Sequence, residues 1–404
     1  MRPPSVSLFR TVLFRTVLFR QTLFGQVLWR EVAVCVVLHV SSTWVAMTDT
    51  QTNWKLQFLS DNASPVCPEA WQAMEKANAD AASTYTLPYG DDPITAEAAQ
   101  RIADLFETDC DVFFVFNGSA ANCLALASMS RSYHGILCHP SSHTEIDEAN
   151  GPEFFTGGAK LLSVDGPAGK IDPCNIAPRL ARGEGIHSAK INALSLAQPT
   201  EVGTVYTPAE ILALTALRTE VPAAEFTFHM DGARFANALA ALEGVAPREI
   251  TWQVGIDILS LGGTKNGGPA TEALVFFDKQ LAREFAWRRK QAGQLASKMR
   301  YLSAPWLGLL QDGAWLRYAR HANQCAASLG AQLAQIPGVA LPYQVETNAV
   351  FADLPDGVIV ALEAAGWHFY RAGSVCRFMC GWNTTDAAIA ALVTEIQSAI
   401  DPVA

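Results

Sequence analysis

The sequence predicts an α/β fold: a large domain built on a mainly parallel sheet, followed by a smaller α+β domain at the C-terminus. Three observations carry this. From about residue 56 the chain alternates short β-rich runs with helical patterns, the order that a parallel sheet with crossover helices requires. Polar residues gather just after the apolar runs, at the carboxyl ends of strands, where open α/β sheets hold their ligands. After about residue 280 the alternation gives way to long helical stretches. A chain of 404 residues, 50% hydrophobic, is also long enough for a sizeable core and more than one domain.

The elements follow in order. Residues 8–32 read LFRTV LFRTV LFRQT LFGQV LWREV, a five-residue repeat that gives neither a helix nor a strand one constant apolar face. Across residues 1–46, five arginines (Arg2, Arg10, Arg15, Arg20 and Arg30) and a single acid, Glu31, would suit a transit peptide or an amphipathic membrane segment. The arginine spacing interrupts any bilayer-length span, and the chain turns domain-like just after Met47. Residues 1–46 are therefore expected to be a non-core extension, with 47–312 the N-terminal segment plus large domain and 313–404 the small domain. "DVFFVF" (111–116) reads as a buried strand, "NGS" (117–119) as a turn and "AANCLALASM" (120–129) as a helix. "INALSLAQ" (191–198) is a second strand, and Thr207, Pro208 and Glu210 form a capping box that opens the next helix. "EFTFHM" (225–230) ends at Asp231, and "GIDILSL" (255–261) leads into "GGTKNG". Residues 281–304 and 314–336 read as long helices, then strand-like 348–354 and 374–382 and a last helix from Thr385 complete the small domain.

Charge and cysteine content exclude some partners. A net charge of −10 speaks against nucleic acid, because binding its backbone requires clustered Lys and Arg. Nothing after residue 46 reads as membrane-associated, so a small molecule is the expected partner. Nine cysteines without a CxxC pair read as reduced, mostly buried thiols of a cytoplasmic protein. Cys376 and Cys380 lack a further ligand at zinc spacing, and no metal is expected.

Three places carry chemistry. The turn at 117–119 opens a helix and offers amides and a hydroxyl to a phosphate, although Asn-Gly-Ser is also ordinary turn chemistry. Asp231, at the end of an apolar strand, either caps the following helix or meets a cation such as a ring nitrogen. Arg234, three residues on, is then its salt-bridge partner or a clamp for a ligand carboxylate. Lys265 sits among glycines and small hydroxyls, and is either a desolvated amine, neutral and nucleophilic, or a surface lysine of a Gly-rich loop or a phosphate binder. It is not in a P-loop, since GxxxxGK[ST] spacing is absent. A phosphate, a ring nitrogen and an aldehyde together describe pyridoxal 5'-phosphate. Arg377, inside apolar "VCRFMC", demands an anion, either a ligand or a structural carboxylate such as Asp353. His139 and His229 read as hydrogen-bonded core or strand-end residues, and Arg288, Arg289 and Lys290 as a solvated helix face.

The ordered motifs "SDN" (60–62), "PYGDD" (88–92), "NGSAAN" (117–122), "HPSSHTEIDEANGPEFF" (139–155), "HMDGARFANAL" (229–239), "GGTKNG" (262–267) and "SKMRYLSA" (297–304) resemble the low-specificity threonine aldolases and phenylserine aldolases. These belong to the β-eliminating lyase group of pyridoxal-phosphate enzymes of fold type I, the aspartate aminotransferase-like fold. The resemblance runs from about residue 56 to the C-terminus. It implies that Lys265 bonds to the cofactor aldehyde, that Asp231 partners the pyridine nitrogen, and that Gly118, Ser119 and the Ala120 amide bind the phosphate. His143, with Glu148 five residues later, matches the histidine stacked on the cofactor ring, which also steers the base or water at the substrate hydroxyl. Ser60, Arg234 and Arg377 match groups that hold the amino-acid carboxylate; Arg300 matches an arginine reaching a phosphate across a dimer interface. Tyr89 and Gly90 lie in a motif near the site. The implied reaction is cleavage of a β-hydroxy-α-amino acid, threonine, allo-threonine or phenylserine, to glycine and an aldehyde, in a homodimer or homotetramer with shared sites. Another pyridoxal-phosphate lyase, an aminotransferase-like enzyme or a non-enzymatic cofactor-binding protein are the rival readings. Trp306 and Trp382 either shape the aldehyde pocket or belong to the core.

Overall fold

A computed structural model describes residues 15–23, 26–34, 58–183, 185–220 and 226–400. The segments Met1–Asn53 and Trp54–Ala404 form separate units. In the first, β1 (Arg15–Leu23) and β2 (Gln26–Val34) pair antiparallel from Arg15 opposite Val34 to Leu23 opposite Gln26. The described part of the five-residue repeat thus takes strand form. Met47, the expected first residue of the 47–312 segment, and Cys35 lie outside the described residues.

The second unit is organised by a seven-stranded sheet. Its strands are β3 (Asp111–Val115), β4 (His134–Cys138), β5 (Lys160–Ser163), β6 (Lys190–Ala197), β7 (Thr227–Gly232), β8 (Ile258–Gly262) and β9 (Glu272–Phe276). The order across it is β3-β9-β8-β7-β6-β4-β5. Only β9 runs against its neighbours. Parallel strands covered on both faces are apolar throughout, and β4, β8 and β9 are buried at every position. β3, expected as a buried strand, lies at the sheet edge, and of its residues only Phe114 and Val115 are buried.

One face of the sheet is covered by the helix Gly118–Met129, in which eight side chains are buried. A helix apolar all round has to sit inside, and its alanines let it lie close to the sheet. The opposite face carries the larger core, with Phe106, Phe228, Phe235 and Trp306 among its buried members. The capping box forms as expected: Thr207 Oγ1 accepts from the Glu210 amide at 3.3 Å and Glu210 Oε2 from the Thr207 amide at 2.7 Å.

The long helix expected over 281–304 is broken. It divides into Lys279–Ala282, Phe285–Gln291 and, after Gly293 at φ +72°, the helix from Arg300 to Leu310. A left-handed φ stops a helix, and glycine adopts it without strain. Arg289, expected on a solvated face, instead lies over the Phe113 ring at 5.2 Å with its Nε buried and unpartnered. Burial draws its pKa down to about 10.

The C-terminal part has its own three-stranded antiparallel sheet, order β10-β12-β11, from β10 (Ala349–Asp353), β11 (Tyr370–Ala372) and β12 (Val375–Met379). The helices Asp356–Ala364 and Asp386–Ile400 pack in the same core. The helix Ala314–Leu333 belongs to both cores. Trp315 and Ala319 enter the large one, and Cys325, Ala326, Leu329 and Leu333 the small one, along one helical stripe. Leu329 is fully buried, so Leu329→Ala would cost about 2–5 kcal/mol. Phe58 also enters the small core, 6.0 Å from Trp367 and 6.5 Å from Phe378. The chain therefore crosses the small core before building the large sheet. Among the described residues no helix is long and apolar enough to cross a membrane.

Candidate active site

The carboxyl ends of the parallel strands converge on one region. β8 delivers Lys265 on a short turn, Thr264–Asn266. Glycines flank it because backbones touch there: a Cβ on Gly262 would stand 2.2 Å from the Ala233 carbonyl oxygen, and Gly267 turns at φ +98°. The buried Asn266 pins the turn by donating from Nδ2 to the Trp315 carbonyl at 2.8 Å.

β7 carries Asp231 as its penultimate residue, in register opposite Ala197 of β6 and Ser260 of β8. It does not cap the next helix, which spans Phe235–Ala241 with Arg234 at its N-cap. Asp231 Oδ1 accepts from the Ala233 amide at 3.0 Å, and Oδ2 accepts from Asn122 Nδ2 at 2.8 Å. Asn122 Nδ2 also donates to Glu148 Oε1 at 3.1 Å, and the same oxygen holds His143 Nδ1 at 2.8 Å. A continuous line, His143–Glu148–Asn122–Asp231, results. The Glu148 hydrogen bond raises the His143 pKa above 6.5, outweighing burial. Asn122 stands in a motif singled out in the sequence without a role; its Oδ1, like Glu148 Oε2, is buried without a partner.

Arg234 is the partner not of Asp231 but of Asp61. The guanidinium is bidentate, Nε to Oδ2 at 2.7 Å and Nη2 to Oδ1 at 3.0 Å, with Asp61 almost wholly buried. Burial pushes the Asp61 carboxyl up, but the charge and hydrogen bonds of Arg234 outweigh it and leave it below the usual carboxylate range. Arg377, from β12, stands opposite Phe351 of β10 and Tyr370 of β11 and lies 4.8 Å over the Tyr370 ring. It does not pair with Asp353: its Nε is buried and unpartnered. Burial, and then the Arg234 charge, lower its pKa.

A cleft of about 760 Å³ brings five of the expected residues together: Ser60, His143, Arg234, Lys265 and Arg377. Its aromatic wall, Tyr343, Phe351 and Tyr370, and the acid Glu201 carry no sequence motif. Trp306 and Trp382 are structural. Trp306 is buried and donates to Thr271 Oγ1 at 2.9 Å, and Trp382 donates to the Pro65 carbonyl at 2.8 Å and packs on Tyr318. His229 is a core residue, held between Ser195 and Ser260 at 2.9 Å each, and burial lowers its pKa to about 4. His139, at the end of β4, hydrogen-bonds Ser141 at 2.7 Å.

The turn Gly118–Ala120 and Arg300 do not line this cleft, nor do Tyr89 and Gly90. The Ala120 amide is already donated to Asn117 Oδ1 at 2.8 Å, so an anion at this helix start meets the Gly118 and Ser119 amides instead. Arg300 opens its helix with Nε buried and unpartnered. Tyr89, at φ +63°, carries Lys290 over its ring at 4.9 Å. All eight described cysteines are free, six of them buried.

Free amides at a helix start, a lone lysine, a carboxylate not committed to a cation and orphaned arginine nitrogens suit a phosphorylated aldehyde with a basic ring nitrogen. The comparisons agree. The β-eliminating lyase family matches residues 57–356. The low specificity L-threonine aldolase of Pseudomonas sp. strain NCIMB 10558 is 49% identical over 349 residues, 86% of this chain and 99% of that protein. The enzyme of the same name from Pseudomonas aeruginosa is 49% identical over 348 residues, 86% and 98% of the two chains. Among solved structures, the threonine aldolase of Leishmania major superposes with a TM-score of 0.77 at 25% identity, covering 84% of this chain and 98% of that one. The fold is that of the fold type I pyridoxal-phosphate enzymes. By sequence and by architecture alike, the chain belongs to the β-eliminating lyase family.

Proposed function

We propose that the protein is an aldehyde-lyase that uses pyridoxal 5'-phosphate to cleave a β-hydroxy-α-amino acid, threonine or a relative, into glycine and an aldehyde. The observation that carries this reading is Lys265 in one cleft with His143, whose ring is tied through Glu148 and Asn122 to Asp231. The names of the Pseudomonas and Leishmania relatives support it.

Lys265 would hold the cofactor through its aldehyde, Asp231 its ring nitrogen, and the Gly118 and Ser119 amides its phosphate. When bound, the cofactor supplies a sink for the electron pair released at Cα. The remaining work falls to side chains. Arg377, with no internal carboxylate, takes the substrate carboxylate, and its fork fixes orientation as well as affinity. Arg234 is held by Asp61 and shapes the floor of that subsite. Ser60, at the cleft margin, is oriented by the Asn62 amide at 3.2 Å. His143, its Nδ1 fixed on Glu148, presents the other face of the ring in a set direction. Arg300 lies outside the cleft and serves the phosphate of a second copy, so the working form is a homodimer or homotetramer. The free thiols suit a cytoplasmic protein.

Borohydride reduction of the cofactor-loaded protein, followed by peptide mass mapping, tests the reading. The expected adduct is on Lys265, and Lys265→Ala should carry none and release no aldehyde. An adduct elsewhere, or aldehyde release by Lys265→Ala, would overturn it.

A further inference from the structure

Two acids that line the cleft have no role so far, the exposed Asp147 and the less exposed Glu201, and only the second stands on an anchored turn. Glu201 sits at the tip of a turn after β6, Thr200–Gly203, closed by the Gly203 amide on the Thr200 carbonyl at 2.9 Å. Gly203, at φ +85°, packs its backbone against Ala349, and its carbonyl accepts from Thr347 Oγ1 at 2.8 Å. Thr204 Oγ1 fastens the far side of the turn to the Ala168 carbonyl at 2.7 Å. A turn anchored at both ends holds its tip residue rigidly. Yet Glu201 itself makes no hydrogen bond or close ion pair with any described residue; it lines the cleft beside Lys265, His143 and Arg234.

Resting on the aldolase reading, cleavage needs a group that removes the β-hydroxyl proton. His143 has its Nδ1 committed to Glu148 at 2.8 Å, whereas Glu201 brings a carboxylate unpartnered among the described residues into the same cleft. We propose that Glu201 is the catalytic base that takes the proton from the substrate β-hydroxyl. The O–H bond breaks toward a Glu201 carboxylate oxygen and its electron pair becomes the second C–O bond of the aldehyde. The Cα–Cβ bond breaks, and its pair remains with the glycine fragment, which takes up a proton at Cα. Atoms and charge balance without an oxidant or reductant. The environment agrees: burial, joined by the Asp231 charge, raises the Glu201 pKa above 4.5 against the opposing charges of Arg234, Lys265 and His143, with Arg377 also facing it. A raised carboxylate accepts a proton more readily than an ordinary one.

The test compares the holoenzyme with Glu201→Gln and Glu201→Asp. In Glu201→Gln, kcat/KM for a β-hydroxy amino acid should fall by about 10²-fold or more, and the acidic limb of its pH profile should vanish. Glycine has no β-hydroxyl, so its calorimetric affinity, and that of the apoprotein for cofactor, should stay within about twofold. Glu201→Asp keeps a carboxylate and should keep a limb, displaced from that of the wild type. Glu201→Gln with kcat/KM near wild type, or with its limb intact, overturns the assignment alone. If Glu201→Gln does not fold, an unmoved limb in Glu201→Asp does the same. A wild-type holoenzyme that releases no aldehyde overturns the aldolase reading together with the assignment.

Discussion

Replacing Asp61 by Asn removes one negative charge and leaves Arg234 in place. The guanidinium is bidentate on Asp61, whose side chain is 1% exposed against 13% for Arg234, so the loss is that of a buried pair. Breaking such a pair from one side costs about 3–5 kcal/mol, because the remaining charge stays desolvated. With an unfolding entropy of about 2.1 cal/mol/K per residue over Trp54–Ala404, roughly 0.7 kcal/mol/K, the midpoint should fall by about 4–7 °C. The Asp61 carboxyl lies below its ordinary range in the folded chain, so its contribution is complete above the unfolded value and lost as pH falls through the folded one. Thermal unfolding followed by circular dichroism at pH 7 therefore reads the full effect. Removing both charges, as Asp61→Leu with Arg234→Leu, should recover most of it. A midpoint within a degree of wild type in Asp61→Asn, or a double variant as unstable as the single, would refute the reasoning.

Asp231→Ala should cost about 10²-fold or more in aldehyde release, with the far-ultraviolet circular dichroism unchanged; a variant of normal activity would remove Asp231 from the chemistry. Glu272, buried in β9 and accepting the Gly263 amide at 2.8 Å, has its pKa raised by burial to about 7. A raised carboxyl keeps its proton in the folded chain after the unfolded chain has lost it. Stability is then greatest at low pH and drains as pH rises from about 4.5 through about 7, by about 3 kcal/mol. Glu272→Gln should lose that slope in urea unfolding at pH 5 and pH 8; an unchanged slope would show that Glu272 is not its source.

What could be read from the sequence was what local chemistry dictates. A charged residue at the end of an apolar run is costly unless it has a function, and that logic found Asp231, Lys265 and Arg377 before any contact was known. His143 and Glu148 were implied by the family motif and not by residue chemistry alone, and five residues of one short segment bring ring and carboxylate together. The partners were not. Asp61 meets Arg234 across 173 positions and Asn122 meets Asp231 across 109, and nothing within either segment announces the meeting. Glu201 was invisible for the opposite reason: its place depends on a turn anchored by Ala168 and Thr347, residues distant in sequence. The long helix of 281–304 was misread because its pattern is helical on both sides of Gly293, and only the φ of that residue decides where the axis breaks.

The cleft is better understood from how its charges are paired than from which charges it contains. Three arginines line it, Arg234, Arg371 and Arg377; Arg371 is paired with Glu363 at 3.4 Å, and either of the other two would suit a substrate carboxylate. Asp61 occupies both fork nitrogens of Arg234 that face it, so the orphaned Nε of Arg377 is the one left to take a new anion. Asp61, Glu201 and Glu272 all feel the Lys265 charge. Asp231 is held by an amide and by Asn122, neutral donors that fix its position without using its charge. Each buried polar atom left unsatisfied costs the empty protein about 1–3 kcal/mol. The same cost is relieved when ligand atoms arrive. A cleft that leaves Arg377 Nε without a partner while supplying partners to Arg234 and Asp231 has therefore placed its instability where ligand binding removes it.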